Sequence, residues 1–256
     1  MAKKSDSALI GYTGFVGSNL HNQYPFSYLY NSSNSHEMKG CSYDLVICAG
    51  VSAVKWLANK DPDSDRNKIR QLESILSTIN TRKFILVSTI DVYPVLSDAD
   101  ENFDVHKVEN HAYGTHRLEF EDFCRSQFDD CQIIRLPGLF GDGIKKNVIF
   151  DLLNNNCLDS INLNSSFQYY NLDNLWVDMK KVIDSDLPLV NFFTEPVTTN
   201  TIIQKFFPNK TVGENASSEV HYDLHTCHAD LWGKMGKYIY THDEIITQLG
   251  EFIEKY

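Results

Sequence analysis

Five short apolar runs, separated by stretches of helical periodicity, constrain this chain more than any other feature. SALIG (7–11), FSYLY (26–30), YDLVICAG (43–50), KFILVS (83–88) and CQIIRL (131–136) read as buried strands, being continuous, apolar and too short for core helices. Between them, residues 65 to 80 place Ile69, Leu72, Leu76 and Ile79 on one helical face. Residues 109 to 125 likewise align Tyr113, Arg117, Phe120 and Cys124. Strands that alternate with helices imply right-handed crossovers and a mostly parallel sheet covered on both sides. The expected fold class is therefore α/β, a doubly wound parallel sheet.

Past residue 140 or so the alternation loosens into FDLLNNN, QYYNL, a helix near NLWVDMKKVI and LPLVNFF. A last helix is opened by the capping box Thr241 to Glu244. We divide the chain into a sheet domain over 1–145 and a small C-terminal lobe over 146–256, packed on the sheet and not independent of it.

The first strand runs into a glycine turn. ALIGYTGFVGSNL spaces Gly11, Gly14 and Gly17 as G-x-x-G-x-x-G between that strand and a helix. The first glycine allows the tight turn, the second lets a pyrophosphate approach the backbone, and the third lets helix and strand pack closely. The N–H groups opening the helix then face the anion. This makes the sheet Rossmann-type and the turn, including Thr13, Phe15 and Val16, a dinucleotide site. A tight turn without a ligand is the alternative. After the second strand, where a carboxylate would hold the adenosine ribose, the chain offers Asn31, Ser32, Ser33 and Asn34. Donors without negative charge tolerate a 2′-phosphate, so the expected cofactor is NAD(P), with a lean to NADP. Glu37 keeps NAD open.

Together, GYTGFVG, CAG (48–50), VSTIDVY and YGTHR resemble the short-chain dehydrogenase/reductase superfamily, in particular its extended branch of nucleotide-sugar epimerases, dehydratases and reductases. RLPGLFGDG (135–143) is similar to that branch's turn into the substrate lobe. The resemblance covers about the first 145 residues and is thin beyond. It implies that Ser88 or Thr89 orients a sugar hydroxyl or carbonyl, that Tyr113 is the general acid or base, and that the residue four positions on binds the nicotinamide ribose and lowers the tyrosine pKa. It also implies cofactor contacts from Ala49, Gly50, Tyr113 and Pro137, and a substrate contact from Asn147. A phenol with an ordinary pKa near 10 is a weak base at neutral pH, and a fixed cation beside it favours phenolate.

The position that the family fills with lysine is Arg117. A guanidinium supplies charge and ribose hydrogen bonds but is planar and never deprotonated, so it cannot join a lysine-type proton relay. Phe167, in FQYYNLDNL, stands where the branch has a phosphate-binding arginine, which weakens the case for a nucleotide diphosphate. Lys145 and Lys146 either add charge near Asn147 or mark a solvated helix start. The reading is an NAD(P)-dependent oxidoreductase or epimerase acting on a sugar or nucleotide-sugar, with Thr89, Tyr113 and Arg117 as its catalytic residues. The alternative is a catalytically weak or inactive dinucleotide-binding module that senses redox state or binds a partner.

The formal charge of −11, from 34 acidic against 23 basic residues, argues against nucleic acid or an anionic membrane as the partner. The start MAKKSDSALIGYTG has only a four-residue apolar run, too short for a signal peptide, and no stretch is long enough to cross a bilayer. A cytoplasmic location is expected. Six cysteines without a CxxC pair suit buried thiols in a reducing compartment. His221, Asp223, His225 and Cys227 alternate in EVHYDLHTCHAD, which on a strand would build either a zinc site or the polar outer face of a half-exposed strand. The second is preferred, and no metal is expected. Trp56, Trp176 and Trp232 are read as packing residues. A homodimer is implied by the resemblance alone.

Overall fold

The computed structural model describes residues 6–256. The first five residues of the N-terminal segment, MAKKS, lie outside them. The chain forms two compact units, and each is built from more than one segment.

The first unit contains the chain up to Pro94, Phe103–Arg135 and Leu175–Val190. In chain order its elements are β1 (Ser7–Ile10), α1 (Phe15–Gln23), β2 (Tyr28–Tyr30), β3 (Ser42–Cys48), α2 (Lys55–Lys60), α3 (Pro62–Leu76), β4 (Asn80–Thr89), α4 (Ala112–Gln127) and β5 (Cys131–Leu136). The chain then passes through β6 (Gly138–Phe140), α5 (Val148–Asn154), β7 (Ser166–Phe167) and β8 (Tyr169–Asn171) of the second unit, and returns as α6 (Leu175–Ile183) and β9 (Leu189–Asn191). The sheet order is β2-β1-β3-β4-β5-β9, and β1 pairs in parallel with both β2 and β3, as does β3 with β4. From β1 the chain moves outward to β2 and then crosses back to β3, so connections diverge at the carboxyl ends of β1 and β3. Open parallel sheets bind their ligands at such a point.

All five strand expectations are met, four of them with shifted ends. Pairing of β2 starts only where the Ser27 N–H reaches the Ser7 carbonyl at 2.9 Å. Helix α3 begins three residues earlier than its apolar stripe suggests. Pro62 occupies its first turn, and the Asp61 carboxylate accepts from the Ser64 N–H at 3.2 Å. It stops at Leu76, so Ile79 leaves the helix while staying in the same core. That core joins Ile10, Val46, Leu86, Ile69, Phe120 and Cys124, with Phe84 stacked on Phe128 at 4.1 Å.

Two parts of the loose C-terminal pattern belong to this sheet unit. Helix α6 sets Trp176 against Tyr24, ring centroids 3.9 Å apart, and its N–H reaches the Gln23 side chain at 2.9 Å. LPLVNFF supplies β9, the sheet's edge strand. The boundary expected at residue 145 is therefore replaced by a crossing at Leu136 and a return at Leu175.

The second unit comprises Val95–Asn102, Leu136–Asn174 and Asn191–Tyr256. Strands β6 and β8 pair in parallel, and β7 pairs antiparallel with β10 (Val197–Thr198). Beyond β10 come α7 (Thr199–Phe206) and α8 (His242–Lys255), the latter opened by the expected capping box of Thr241 and Glu244. Gln168, fully buried, donates to the carbonyls of Thr194 and Leu224 and accepts from the Leu224 N–H, which pins three segments together.

Residues 220–227 form isolated bridges and no named strand. Leu224, His225 and Thr226 are buried in succession, so the alternation that would have put His221, Asp223, His225 and Cys227 on one outer face does not occur.

All six cysteines are free. Cys48 and Cys124 are buried as expected, but Cys157 and Cys227 are exposed. Trp176 packs as read, whereas Trp56 is 67% exposed. No described helix is long and apolar enough to cross a membrane.

Candidate active site

The glycine turn has the geometry its sequence asks for. Gly11 has φ +87°, and a Cβ there would lie 2.4 Å from the Ala49 carbonyl oxygen, so β1 and β3 can come together only around a glycine. At Gly17 a Cβ would sit 2.1 Å from the Gly11 oxygen, which makes it the close-packing glycine of the helix. Gly14 differs. A Cβ there would meet only the Gly11 oxygen, at 3.3 Å, and Gly14 is exposed as the N-cap of α1 with no side-chain cap. The open glycine at a helix N-terminus is where an anion can approach uncapped N–H groups. Thr13 is exposed, and Phe15 and Val16 are half-buried beside it.

The end of β2 closes one side of this turn. The Gly11 N–H donates to the Tyr30 carbonyl at 2.7 Å, and the Asn31 side-chain amide reaches the Tyr12 hydroxyl at 3.5 Å. Asn31 also accepts from the Ser33 N–H and hydroxyl, which folds the segment into an Asx turn that exposes Ser32. No carboxylate stands at this strand end, and Glu37 lies further on, exposed, in a short 3-10 helix. Ala49 and Gly50 follow β3 directly across from Gly11.

Thr89 ends β4, and Tyr113 lies in the first turn of α4. The Thr89 side chain stands near enough to the phenol to lower its pKa. Sequence reasoning missed what holds them in register. Gly114 lets α4 approach, since a Cβ there would fall 2.3 Å from both the Asp91 carbonyl oxygen and the Asn110 side chain. Asn110 donates to that same carbonyl at 2.9 Å, and Asn59 accepts from the Tyr113 N–H at 2.9 Å. Glycine next to the tyrosine, flanked by an asparagine four residues earlier, is the signal that could have revealed this contact.

Arg117 does not reach outward. It is 4% exposed, and both its terminal nitrogens bond Asp65 of α3, with the Nη2–Oδ1 bond at 2.9 Å. Nη1 also donates to the Tyr113 carbonyl, Nη2 donates to that of Ser52, and Nε is enclosed without a partner. The guanidinium lies 3.8 Å from the centroid of the Tyr113 ring. Its terminal donors are thus committed to the protein and its unpartnered Nε is enclosed, so no Arg117 donor faces outward for the ribose hydrogen bonds expected of it. What remains of the expected role is electrostatic.

The balance of charge around Tyr113 follows from this. Burial pushes the phenol above its ordinary 10, Arg117 pulls it down, Asp91 raises it and Thr89 lowers it, with a net rise. Two further groups stand close. Lys55 pairs with Asp91 at 2.6 Å. His111 caps α4, its Nδ1 accepting from the Gly114 N–H at 3.0 Å, and its ring centroid lies 6.3 Å from that of Tyr113. Burial and then the Lys55 charge hold His111 below its ordinary pKa, so it is a neutral imidazole whose proton is on Nε2.

The remaining expected residues have other tasks. Ser88 donates to the buried Glu121 carboxylate at 2.5 Å, where Arg135 also donates through Nε and Nη2 at 3.0 and 2.7 Å, so Ser88 belongs to a structural ion-pair network. In the second unit Pro137 is buried. Asn147, at φ +95°, uses its Oδ1 to accept from the Ile149 and Phe150 N–H groups and its amide to donate to the Leu139 carbonyl, so it is the N-cap of α5. Phe167 rests against Tyr169 and Tyr222.

No protein-family model matches the chain, and no curated protein is similar to it. Solved structures are similar over its whole length. The UDP-N-acetylglucosamine 4-epimerase of Methanobrevibacter ruminantium M1, in complex with UDP-N-acetylmuramic acid, superposes with a TM-score of 0.73 over 98% of both chains at 14% identity. The likeness is one of fold, shared with nucleotide-sugar epimerases and reductases. The dTDP-4-dehydrorhamnose reductase of Bacillus anthracis str. Ames, in complex with NADP, gives a TM-score of 0.71 over 99% of this chain and 100% of its own, again at 14% identity. A variant UDP-glucuronic acid 4-epimerase of Bacillus cereus, bound to NAD and a fluorinated UDP-sugar, gives 0.72 over 97% and 99% at 15% identity.

Proposed function

We propose that this chain is an NAD(P)-dependent enzyme that transfers hydride to or from a sugar or nucleotide-sugar carbon, with Tyr113 as the proton carrier and Thr89 as the group that orients the reacting oxygen. The observation that carries this reading is the placing of Thr89, at the end of β4, beside the buried Tyr113 of α4, in a unit whose glycine turn keeps Gly14 open at an uncapped helix start. The similar folds bound to NAD, NADP and nucleotide-sugars support it as analogy. Gly11, Thr13, Gly14, Phe15, Val16 and Gly17 would hold the pyrophosphate, with Asn31 and Ser32 at the ribose and Ala49 and Gly50 beside the turn. The uncharged Asn31 and Ser32 favour NADP. The bound nicotinamide supplies the hydride chemistry.

The protein's own residues then handle the proton. Tyr113 gives its proton to a carbonyl oxygen during reduction and takes one from a hydroxyl during oxidation. Arg117, stacked on the ring and anchored by Asp65, biases the phenol towards ionisation without touching the reactants. The Lys55–Asp91 pair and the neutral His111 complete the polar surroundings.

A pH profile tests the proposal. With the phenol held above 10, the reductive direction uses the protonated form and is expected to stay flat from about pH 7 towards 10. The oxidative direction needs phenolate, whose share grows about tenfold per pH unit below the pKa, so its rate should climb across the same range. Reduced-nicotinamide absorbance, followed over a panel of sugars and nucleotide-sugars, reads both directions. Turnover with the opposite slopes, or no turnover with any of them, would overturn the proposal.

A further inference from the structure

A second cluster of reactive side chains lies within the second unit. Leu96–Ala99 runs beside Asp223–His225: the Asp223 N–H donates to the Leu96 carbonyl at 2.7 Å, the Asp98 N–H to that of Asp223 at 3.0 Å, and the His225 N–H to that of Ala99 at 2.8 Å. The bridge between Ser97 and Asp223 is parallel. Four residues along that register, Glu101 faces Cys227, with His228 next in the chain. Cys227 Sγ lies 3.2 Å from Glu101 Oε2 and 3.6 Å from His228 Nε2, and one ligand atom from each of the three residues falls within 4.8 Å of the others.

We propose that Glu101, Cys227 and His228 form a divalent-cation site of the zinc class. A tetrahedral ion with ordinary Zn–S and Zn–N bonds holds its sulfur and nitrogen about 3.6 Å apart, the spacing already present between Cys227 and His228. A thiolate with an imidazole selects zinc over magnesium or calcium. Three protein ligands leave a fourth position for water, and Cys227 is exposed, so an ion can enter.

Buried neighbours orient the ligands. Thr226, 3% exposed, donates its hydroxyl to Glu101 Oε1 at 2.6 Å and accepts from the His228 N–H at 3.1 Å. The Asn191 N–H donates to the same carboxylate oxygen at 2.7 Å, and the Cys227 N–H to the other at 2.9 Å. Such outer contacts fix a ligand's direction. The set differs from the His221, Asp223, His225 and Cys227 alternation in the sequence, of which it retains only Cys227.

The test loads the chelator-stripped, full-length chain with Co2+. Binding releases the Cys227 proton to solvent and forms a metal–thiolate bond, so a thiolate-to-cobalt charge-transfer band is expected that saturates at one ion per chain and is displaced by zinc. Cys227→Ser should abolish the band. Cys157→Ser, which alters the other exposed cysteine, should retain it. Thr226→Val, which changes a positioning residue, should keep the band while weakening affinity about tenfold or more. His228→Ala, at a half-buried position, gives an independent loss of affinity should Cys227→Ser fail to fold. No band in the unaltered chain, or a band that survives Cys227→Ser and vanishes in Cys157→Ser, would overturn the assignment.

Discussion

Asp65→Asn is expected to destabilise the chain by about 3–5 kcal/mol, because it leaves a buried guanidinium without its counter-charge. Asp65 is 7% exposed and Arg117 4%. Both carboxylate oxygens are used by Arg117, and His116 adds a third contact at 2.8 Å. Burial alone would raise the Asp65 carboxyl, but the hydrogen bonds and charges of Arg117 and His116 outweigh it and hold it below 3.8. A depressed carboxyl contributes its full stability above the unfolded value, about 3.9, and loses it as the pH falls through the folded one. Urea melts should therefore separate the variant from the native chain at neutral pH and bring the two together in acid. Replacing both partners with apolar residues, Asp65→Leu with Arg117→Met, should recover most of the loss, since no charge is then stranded. A stability loss below about 1 kcal/mol for Asp65→Asn would place the pair in the weak class of exposed ion pairs.

The largest effect on chemistry is expected from Tyr113→Phe. The substitution removes one hydroxyl from a ring that is 5% exposed and keeps the ring under Arg117. A proton transfer of this kind contributes about 10²- to 10⁴-fold to a rate. We expect turnover to fall by that factor while dinucleotide binding, built by the glycine turn on β1 and α1, stays within a few-fold. Equal turnover in the variant would remove Tyr113 from the reaction. A parallel collapse of binding would make its role structural.

The fold was legible because its signals are local and redundant. Each strand of the first five is a continuous apolar run, and Gly11 and Gly17 stand at the spacing that a strand-turn-helix crowds to contact distance. The sixth strand and α6 were misassigned to the C-terminal lobe, because Leu189–Asn191 is three residues long and its place at the sheet edge is set by partners far off in sequence. In the proposed site, Thr89 and Tyr113 rest on a resemblance, and the fate of Arg117 was not legible in it. Helical spacing put its guanidinium beside Tyr113, but only the docking of α3 against α4 could reveal that Asp65, 52 residues earlier, takes it. The same limit applies to Ser88, which a strand-end reading offers to a substrate and which Glu121 of α4 claims. The histidine alternation misled for a related reason. A period-two pattern presupposes a strand, and Gln168 and Ala99 instead hold 224–226 as a buried connector with its own bonds.

Fluorescence titration of the purified chain with NADPH and, separately, NADH tests the central claim most directly. Saturable binding of at least one at micromolar concentration or tighter is predicted, with NADPH preferred, and Gly14→Val should abolish it while leaving the fold intact, since a side chain there enters the open approach to the helix start and little else. Binding of neither dinucleotide, or undiminished binding by Gly14→Val, would contradict the assignment of the glycine turn as a cofactor site and with it the proposed chemistry.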